Sequence, residues 1–299
     1  MTEVFTIGEA LGVVSADRIR HDTAIRLDIA GAELTTAIGL TRLGHPTAWL
    51  GRLGADELGT RVLTVLRGEG VDTSYIRIDH DAPTGLILRQ RRVGPSAHVV
   101  HYRERSAGSR LSSGDIPADA VQSARVLHVT GITAALSPTA WSALHHAIKL
   151  ARDAGVLISV DVNHRAPLWP TPEEARESLT GLARNADVLF VNQDELQLIQ
   201  PIIGTIRELV VTRGVKGASS TVAGMRYDAP AAPVSVVDSS GVGAAFVAGY
   251  LSALLEGQHP TSRLRRGAAL AAFTVTSHSH WQGLPTRPEL PPVIHPPAS

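Results

Sequence analysis

The feature that most constrains the fold is a pair of glycines directly in front of a long apolar run, in the segment DSSGVGAAFVAG at residues 238–249. The β-branched residues 234–237 before it predict a short strand, and the apolar run after it predicts a helix. Such a turn directs several backbone N–H groups outward at the positive end of the helix dipole. Gly241 and Gly243 would let an anion approach the bare backbone, although glycines before a helix can also form an ordinary tight turn.

Short β-branched runs alternate with helical stripes along the rest of the chain, which is typical of an α/β protein with a parallel sheet. Buried strands are predicted at 4–7, 48–54, 126–131, 157–161, 188–191 and 209–213, and helices at 34–43, 56–66, 138–154 and 264–276. Residues 13–29 alternate in polarity, and the runs at 84–89 and 97–103 flank the turn-prone residues 93–96, so both regions predict short, half-exposed strands.

Composition excludes several classes of function. With 299 residues, of which 43% are hydrophobic, the chain can bury a core large enough for one big α/β domain or two ordinary ones. The 28 basic and 28 acidic residues balance, which argues against nucleic acid or membranes as partners. Cysteine is absent, which excludes disulfides and thiolate catalysis. The start MTEVFT lacks signal-peptide features and no window suits a membrane span, so we expect a cytoplasmic protein.

The segment at 238–249 resembles the second signature of the ribokinase-like (PfkB) carbohydrate kinases, D-T-x-G-A-G-D followed by an apolar helix. In that family the glycines form an anion hole for the transferred phosphoryl group, and the last Asp is the general base. The resemblance implies that Gly241, Val242 and Gly243 form the anion hole here. Ala244 stands at the position of the base, and its methyl group cannot accept a proton.

The resemblance covers nearly the whole chain, with its elements in the family order. It implies an α/β fold, a ribokinase-like three-layer sandwich with a central, mostly parallel sheet and a small β-sheet lid. The expected division assigns residues 1–12, 31–83 and 108–299 to the α/β domain, and residues 13–30 and 84–107 to the lid. Residues 200–207 are short, and a helix that relatives usually have there is expected to be missing.

Three motifs resemble the 2-keto-3-deoxygluconate kinases within the family: HYRERSAGS at 101–109, DVNHRAPLW at 161–169 and WQGLPTRPEL at 281–290. They imply that Arg103 and Arg165 bind the carboxylate of a sugar acid, which suits a planar bidentate donor. Arg165 could also be a plain surface arginine. The family has an Asn where this chain has Thr35. It usually has tyrosines at the two lid positions that Ile87 and His101 occupy here. The implied substrate contacts are Glu9, Gly31, Thr35, Ile87, His101, Arg103 and Arg165.

The other half of the implied site binds ATP and Mg²⁺. The residues NQDE at 192–195 match the family element N-x-x-E, in which Glu195 acts through water on magnesium, although the same pattern is also an ordinary helix N-cap. The apolar helix at 264–276 would pack beneath the adenine or simply belong to the core. The implied nucleotide contacts are Asn192, Thr212, Gly214, Lys216 and Gly217.

These patterns leave three functions open. The first is ATP-dependent phosphorylation of a hydroxyl on a sugar or keto-deoxy sugar acid, at a low rate because Ala244 replaces the base. The second is a pseudokinase that binds a sugar acid or a nucleotide without turnover. The third is different chemistry in which His101 acts as acid or base. Lids of this family often pair their edge strands between subunits, so a homodimer is also expected as one arrangement.

Overall fold

The computed structural model describes residues 2–90 and 98–290. The predicted turn at 93–96 lies outside these ranges. The strands are β1 (Val4–Ile7), β2 (Leu11–Ala16), β3 (Arg26–Ala30), β4 (Thr47–Leu50), β5 (Arg52–Gly54), β6 (Arg77–Asp79), β7 (Gly85–Gln90), β8 (His98–Tyr102), β9 (Val126–Thr130), β10 (Leu157–Asp161), β11 (Val188–Asn192), β12 (Glu208–Thr212), β13 (Ala218–Val222) and β14 (Met225–Ala229). The helices are α1 (Ala32–Arg42), α2 (Glu57–Gly68), α3 (Ala118–Ser123), α4 (Gly131–Ala134), α5 (Pro138–Asp153), α6 (Pro172–Ala183), α7 (Val242–Leu255) and α8 (Pro260–Val275).

The central sheet has eight strands in the order β14-β13-β12-β11-β10-β9-β1-β4. The strands from β12 to β4 run parallel, and β13 and β14 add an antiparallel edge. One core cluster lies under α5 and α6, and a second lies under α1, α7 and α8. Helices on both faces bury β1 and β9 completely, as their apolar sequences predict. The predicted three-layer α/β architecture is therefore confirmed.

Small residues let α7 approach its neighbours closely. A Cβ added at Gly39 of α1 would lie 2.7 Å from the Cβ of Ala248, and one added at Gly249 would lie 2.6 Å from the carbonyl oxygen of Arg266. Helix α7 is therefore packed against both α1 and α8 through glycine contacts. This packing fixes the position of its N-terminus.

The small sheet forms the lid, in the order β3-β2-β7-β8. Strands β7 and β8 pair antiparallel, as their sequences predict, and place Ile87 opposite His101. Strand β2 pairs parallel with β7 and antiparallel with β3. The strands of this sheet begin at Leu11 and end at Tyr102, and the division of the chain into lid and α/β domain stays a prediction.

The prediction of a strand at 234–237 is wrong. No strand of the described residues pairs with this segment, and Val234, Val236 and Val237 are 42%, 59% and 47% exposed. Instead, the backbone N–H groups of Val237 and Asp238 both donate to the carbonyl oxygen of Val275, at 2.7 and 3.1 Å. The β-branched run is thus a connection fastened to the end of α8, because hydrophobic pattern alone does not supply a partner strand.

Two further predictions concern breaks in regular structure. The run predicted as one strand at 48–54 divides at Gly51 into β4 and β5, where an added Cβ would lie 2.1 Å from the indole ring of Trp49. Residues 200–205 form a 3-10 helix, and no α-helix precedes β12 in this region, as predicted. None of the helices in the described ranges is long and apolar enough to cross a membrane.

Candidate active site

A cleft of about 1660 Å³ opens at the carboxyl ends of the parallel strands, between the lid and the N-terminus of α7. Open α/β sheets bind ligands at this edge, because the loops after the strands and the N-termini of the helices meet there. Every residue that the sequence analysis assigned to substrate, nucleotide, magnesium or anion hole lines this one cleft. The structure therefore brings together motifs that are spread over more than two hundred positions of sequence.

The anion-hole turn, residues 238–244, leads into α7. Gly241 caps the helix with φ of 76°, and a Cβ added there would lie 2.1 Å from the carbonyl oxygen of His280, so only glycine fits. An added Cβ at Gly243 would meet nothing within 4 Å. The first turn of α7 contains no acidic residue, and no side chain caps it. Its N–H groups are therefore free to bind an anion at the positive end of the dipole.

Ala244 is held in this turn with little freedom. It is 6% exposed, and its carbonyl oxygen accepts a hydrogen bond from the Thr36 hydroxyl at 3.2 Å. The site thus presents a methyl group where the resemblance places a carboxylate. The turn can bind a phosphate, but residue 244 cannot take a proton from a hydroxyl beside it.

An ion pair holds the start of the turn. Arg89 of the lid donates to both carboxylate oxygens of Asp238, at 2.6 and 2.9 Å, and the backbone N–H of Ser240 donates to the same carboxylate at 2.9 Å. Burial opposes ionisation of Asp238, but the hydrogen bonds from Arg89 and Ser240 outweigh it and lower the pKa of this carboxyl to about 2. Sequence reasoning did not connect these residues, because they are 149 positions apart.

The two arginines of the predicted carboxylate site differ in their partners. Arg103 forms an ion pair with Glu9, which is 2% exposed and also accepts a hydrogen bond from the Ser106 hydroxyl at 2.9 Å. Burial raises the pKa of Glu9 although Arg103 opposes the rise. Glu9, predicted as a substrate contact, is therefore already engaged within the protein. Arg165 is exposed, and the hydrogen bond found for its guanidinium is to the carbonyl oxygen of His164, at 3.2 Å.

His101 and the two arginines line the same cleft. Partial burial lowers the pKa of the His101 imidazole, and the positive charges of Arg103 and Arg165 lower it further. His101 and Ile87, which occupy the positions where tyrosines are usual, form the lid side of this cleft.

Two carboxylates that line the cleft, one buried and one half-buried, were not assigned from the sequence. Glu33, at the first turn of α1, is 1% exposed and accepts hydrogen bonds from the hydroxyls of Thr130 and Thr133, both at 2.6 Å. Burial and the nearby carboxylate of Glu195 raise the pKa of Asp161 to about 8. The D of the D-x-N-x-R motif could have indicated Asp161, since it ends a buried strand.

The nucleotide half of the cleft is formed by the ends of β11 and β12 and the turn before β13. Gly217 has φ of 84°, and a Cβ added there would lie 2.2 Å from the carbonyl oxygen of Ala229, so this turn requires glycine. Ala268, Ala271 and Val275 of α8 also line the cleft. The residues placed here are Asn192, Thr212, Gly214, Lys216 and Gly217, together with these small side chains of α8.

Glu195 connects two loops. One carboxylate oxygen accepts from the backbone N–H of His164 at 2.7 Å, and the other accepts from that of Asn192 at 2.9 Å. The Asn192 side chain in turn accepts from the N–H groups of Asp194 and Glu195, at 2.9 and 3.0 Å, which is the capping geometry. The carboxylate therefore acts at least as a structural brace, and contact with a metal would use its remaining lone pairs.

Magnesium fits this part of the cleft in a limited way. Within residues 2–90 and 98–290, no three His, Cys, Asp or Glu side chains are grouped so as to hold a metal ion directly. Burial and the carboxylate of Glu195 raise the pKa of Asp161, however, and a divalent cation bound beside the two side chains would stabilise their charged forms. Mg²⁺ retains several waters and is often bound through one or two carboxylates and substrate phosphates, which such a site allows.

Comparison with known proteins decides the family. A model of the pfkB family of carbohydrate kinases matches residues 1–287. The chain belongs to this family. It is 33% identical over 310 aligned residues to the 2-dehydro-3-deoxygluconokinase of Bacillus subtilis, covering 96% of this chain and 94% of the relative. It is 32% identical over 293 residues to the 2-dehydro-3-deoxygalactonokinase of Haloferax volcanii, covering 92% of each chain.

The fold is shared with solved structures. The crystal structure of a putative ribokinase II from E. coli in complex with ATP and Mg²⁺ superposes with a TM-score of 0.86, at 24% identity, covering 95% of this chain and 96% of that one. This likeness establishes the ribokinase-like fold. The resemblance to pfkB carbohydrate kinases, and within them to the 2-keto-3-deoxygluconate kinases, is confirmed by these matches.

Proposed function

We propose that this protein binds ATP and a keto-deoxy sugar acid and transfers a phosphoryl group to a hydroxyl of the acid, at a rate lowered by the absence of a side-chain base. The observation that carries the proposal is the position of Arg165 and Arg103 in the same cleft as the N-terminus of α7. One end suits a carboxylate and the other suits a phosphate. The relatives named for 2-dehydro-3-deoxy sugar acids support this substrate class.

Each end has a defined task in this reaction. Arg165, which is exposed and donates to the carbonyl oxygen of its neighbour His164, binds and orients the carboxylate of the acid. The N–H groups at Gly241 to Gly243 stabilise the charge that develops on the transferred phosphoryl group. Asp161 and Glu195 would hold Mg²⁺ through water, and the ion would neutralise phosphate charge when bound. The turn before β13 and the small side chains of α8 receive the nucleotide.

The proton of the attacking hydroxyl has no acceptor at residue 244. General-base catalysis is worth about 10²–10⁴ in rate, so its loss slows transfer without removing the phosphate site. The buried methyl of Ala244 also favours the second candidate, a pseudokinase that binds its ligands without turnover. The two functions share the same pocket and differ only in the fate of the bound ATP.

Coupled ADP release with purified protein distinguishes them. The assay uses ATP, Mg²⁺ and a panel of keto-deoxy sugar acids, with the matching neutral sugars as controls. Turnover that depends on the sugar acid supports the kinase. Saturable binding of the acid by calorimetry, without ADP release above the no-acid background, supports the pseudokinase. Equal binding of acids and neutral sugars would contradict the substrate class in both.

A further inference from the structure

An ion pair joins the lid to the anion-hole turn. Arg89 of β7 donates two hydrogen bonds to Asp238, and its side chain is 15% exposed while that of Asp238 is 4% exposed. Bidentate, buried pairs of this kind are stronger and more directional than surface ion pairs. This pair has no role in the contacts assigned so far to substrate or nucleotide.

Asp238 would oppose phosphate binding if it were alone. Its carboxylate accepts the N–H of Ser240, so it lies at the base of the turn that receives the phosphoryl group. Two negative charges a few ångströms apart repel each other, and the repulsion is stronger in a partly buried site than in water. The guanidinium of Arg89 compensates this charge and leaves the geometry of the turn in place.

The same lid strand faces the substrate. Alternate residues of a strand project to one face, so Ile87, which lines the substrate part of the cleft, and Arg89 lie on the same side of β7. Pairing of β7 with β8 places His101 opposite Ile87. A ligand that contacts these lid residues therefore biases the position of Arg89 relative to Asp238.

A second lid contact reaches the other side of the turn. Asp28 of β3 accepts hydrogen bonds from the Ser279 hydroxyl at 2.7 Å and the Trp281 indole at 3.1 Å. Between them lies His280, whose carbonyl oxygen is the atom against which Gly241 packs. Burial lowers the pKa of His280, and the positive charge of Arg89 lowers it further. Two strands of the lid thus hold the anion-hole turn.

We propose that Arg89 is a positioning residue for phosphoryl transfer, which orders and electrically compensates the anion-hole turn through Asp238 when the lid lies over the substrate. The inference rests on the proposed function, because it assigns the turn to the phosphoryl group. In this arrangement, occupancy of the sugar-acid site and affinity for nucleotide phosphates are coupled. The coupling runs from Ile87 and His101 through β7 to Asp238.

The test measures ligand coupling. The dissociation constant of ATP with Mg²⁺ is determined by calorimetry with and without the best-binding sugar acid, for the natural protein and for Arg89→Gln, Asp238→Asn and the double variant. We expect the acid to tighten ATP binding at least fivefold in the natural protein, and this factor to fall to near one in Arg89→Gln while the acid still binds. The double variant should be no worse than Arg89→Gln, because both remove one interaction.

Arg263→Gln is the matched control. Arg263 also forms a partly buried ion pair, in which its Nη1 donates to both carboxylate oxygens of Glu208, at 2.9 and 3.0 Å. Glu208 begins β12, so this pair lies at the end of the parallel strands opposite the cleft. The Arg263→Gln variant should lower the free energy of unfolding about as much as Arg89→Gln does, and it should leave the coupling between the two ligands unchanged. If Arg263→Gln abolishes the coupling as fully as Arg89→Gln does, the effect is one of general stability and the proposal is wrong.

A second measurement decides the case even if no sugar acid binds. Arg89→Ala should weaken ATP binding and speed hydrogen exchange at residues 239–244, and millimolar guanidinium chloride should reverse both, whereas tetramethylammonium chloride at equal ionic strength should not. Failure of rescue together with unchanged exchange would overturn the role of Arg89. Absence of sugar-acid binding with rescue intact would instead overturn the proposed substrate and leave the role of Arg89 standing.

Discussion

The two ends of the cleft are built from different kinds of atoms. The proposed phosphate end consists of backbone N–H groups at the start of α7, and its shape depends on the positive φ of Gly241 and on the close contact with His280. The proposed carboxylate end consists of side chains, chiefly Arg103 and Arg165, which reach the cleft from different elements. A backbone site keeps its function while its side chains change, whereas each substitution at the other end alters what binds there.

The chain departs from its family in different ways at the two ends of the cleft. At the phosphate end, Val242 and Ala244 replace the usual residues, yet the N–H groups, the helix dipole and the glycine geometry remain. At the carboxylate end, His101 and Ile87 replace usual tyrosines and so change the contacts themselves. We therefore expect this chain to keep the family's affinity for phosphate and to differ from the family in which sugar acid it prefers.

The largest expected effect comes from restoring the base. Ala244→Asp places a carboxylate in the first turn of α7, where the helix dipole favours it and where the attacking hydroxyl would lie. Phosphoryl transfer should rise by about 10²–10⁴, measured as steady-state ADP release. Ala244→Asn is the control, because it has nearly the same shape and cannot act as a base. An equal response to both variants would show that the phosphate end has lost its catalytic geometry. It would contradict the view that a site made of backbone groups is retained when its side chains change.

Removing Arg165 should have the next largest effect, confined to the carboxylate end. A hydrogen bond to a charged group contributes about 1.5–3 kcal/mol, so Arg165→Ala should weaken binding of the sugar acid by about 10–150-fold. The affinity for ATP should stay the same. Calorimetry measures both constants, and Arg184→Ala, an exposed arginine at the end of α6, is the control. Equal losses for acid and nucleotide would contradict the separation of the two ends.

Much of the fold could be predicted because it depends on local patterns. The buried strand β1, the helix that ends before Gly44 and the glycine turn before α7 each follow from a short run of sequence, and the structure has all three. One exception is the run at 234–237, since a strand needs a partner that its own residues do not specify. The resemblance to a known family supplied the central, mostly parallel sheet, the small lid and the set of expected site residues.

The contacts within the site could not be predicted in the same way. Glu9 engages Arg103, and Arg89 engages Asp238, through bonds between residues 94 and 149 positions apart. Spacing gives no information about such pairs, and the residues involved are separately unremarkable. The carboxylate of Glu33 was missed for the same reason, because only the folded protein brings Thr130 and Thr133 to it.

Gly241→Ala tests whether the phosphate end depends on backbone geometry. A left-handed conformation costs a residue with a Cβ about 1–2 kcal/mol, and here the Cβ would also meet the carbonyl of His280. We expect a loss of unfolding free energy above that range, with weaker binding of ATP. Gly257→Ala is the matched control, because Gly257 has φ of 69° and open space around its Cβ, so it should show the conformational cost alone. Equal losses in both variants would mean that the contact with His280 does not constrain the turn.

The smallest expected effect is a pH dependence at the carboxylate end. Burial, Arg103 and Arg165 lower the pKa of His101 below its ordinary value of 6.5, so the free protein holds this imidazole neutral near pH 7. A bound carboxylate would offset both arginines and raise the pKa of His101, because an opposite charge nearby favours the charged form. The group then binds a proton more readily in the complex than in the free protein. By linkage, affinity for the sugar acid should increase as the pH falls through the pKa of the complex, by at most tenfold per pH unit for one proton, and should level off below the pKa of the free protein.

Calorimetry between pH 8 and 5.5 measures the effect, with a neutral sugar as the control ligand. His101→Gln should remove the slope while leaving most of the affinity, since Arg165 supplies the main charge. A slope that persists in His101→Gln would assign the titration to another group and would show that the two arginines and His101 do not share one ligand.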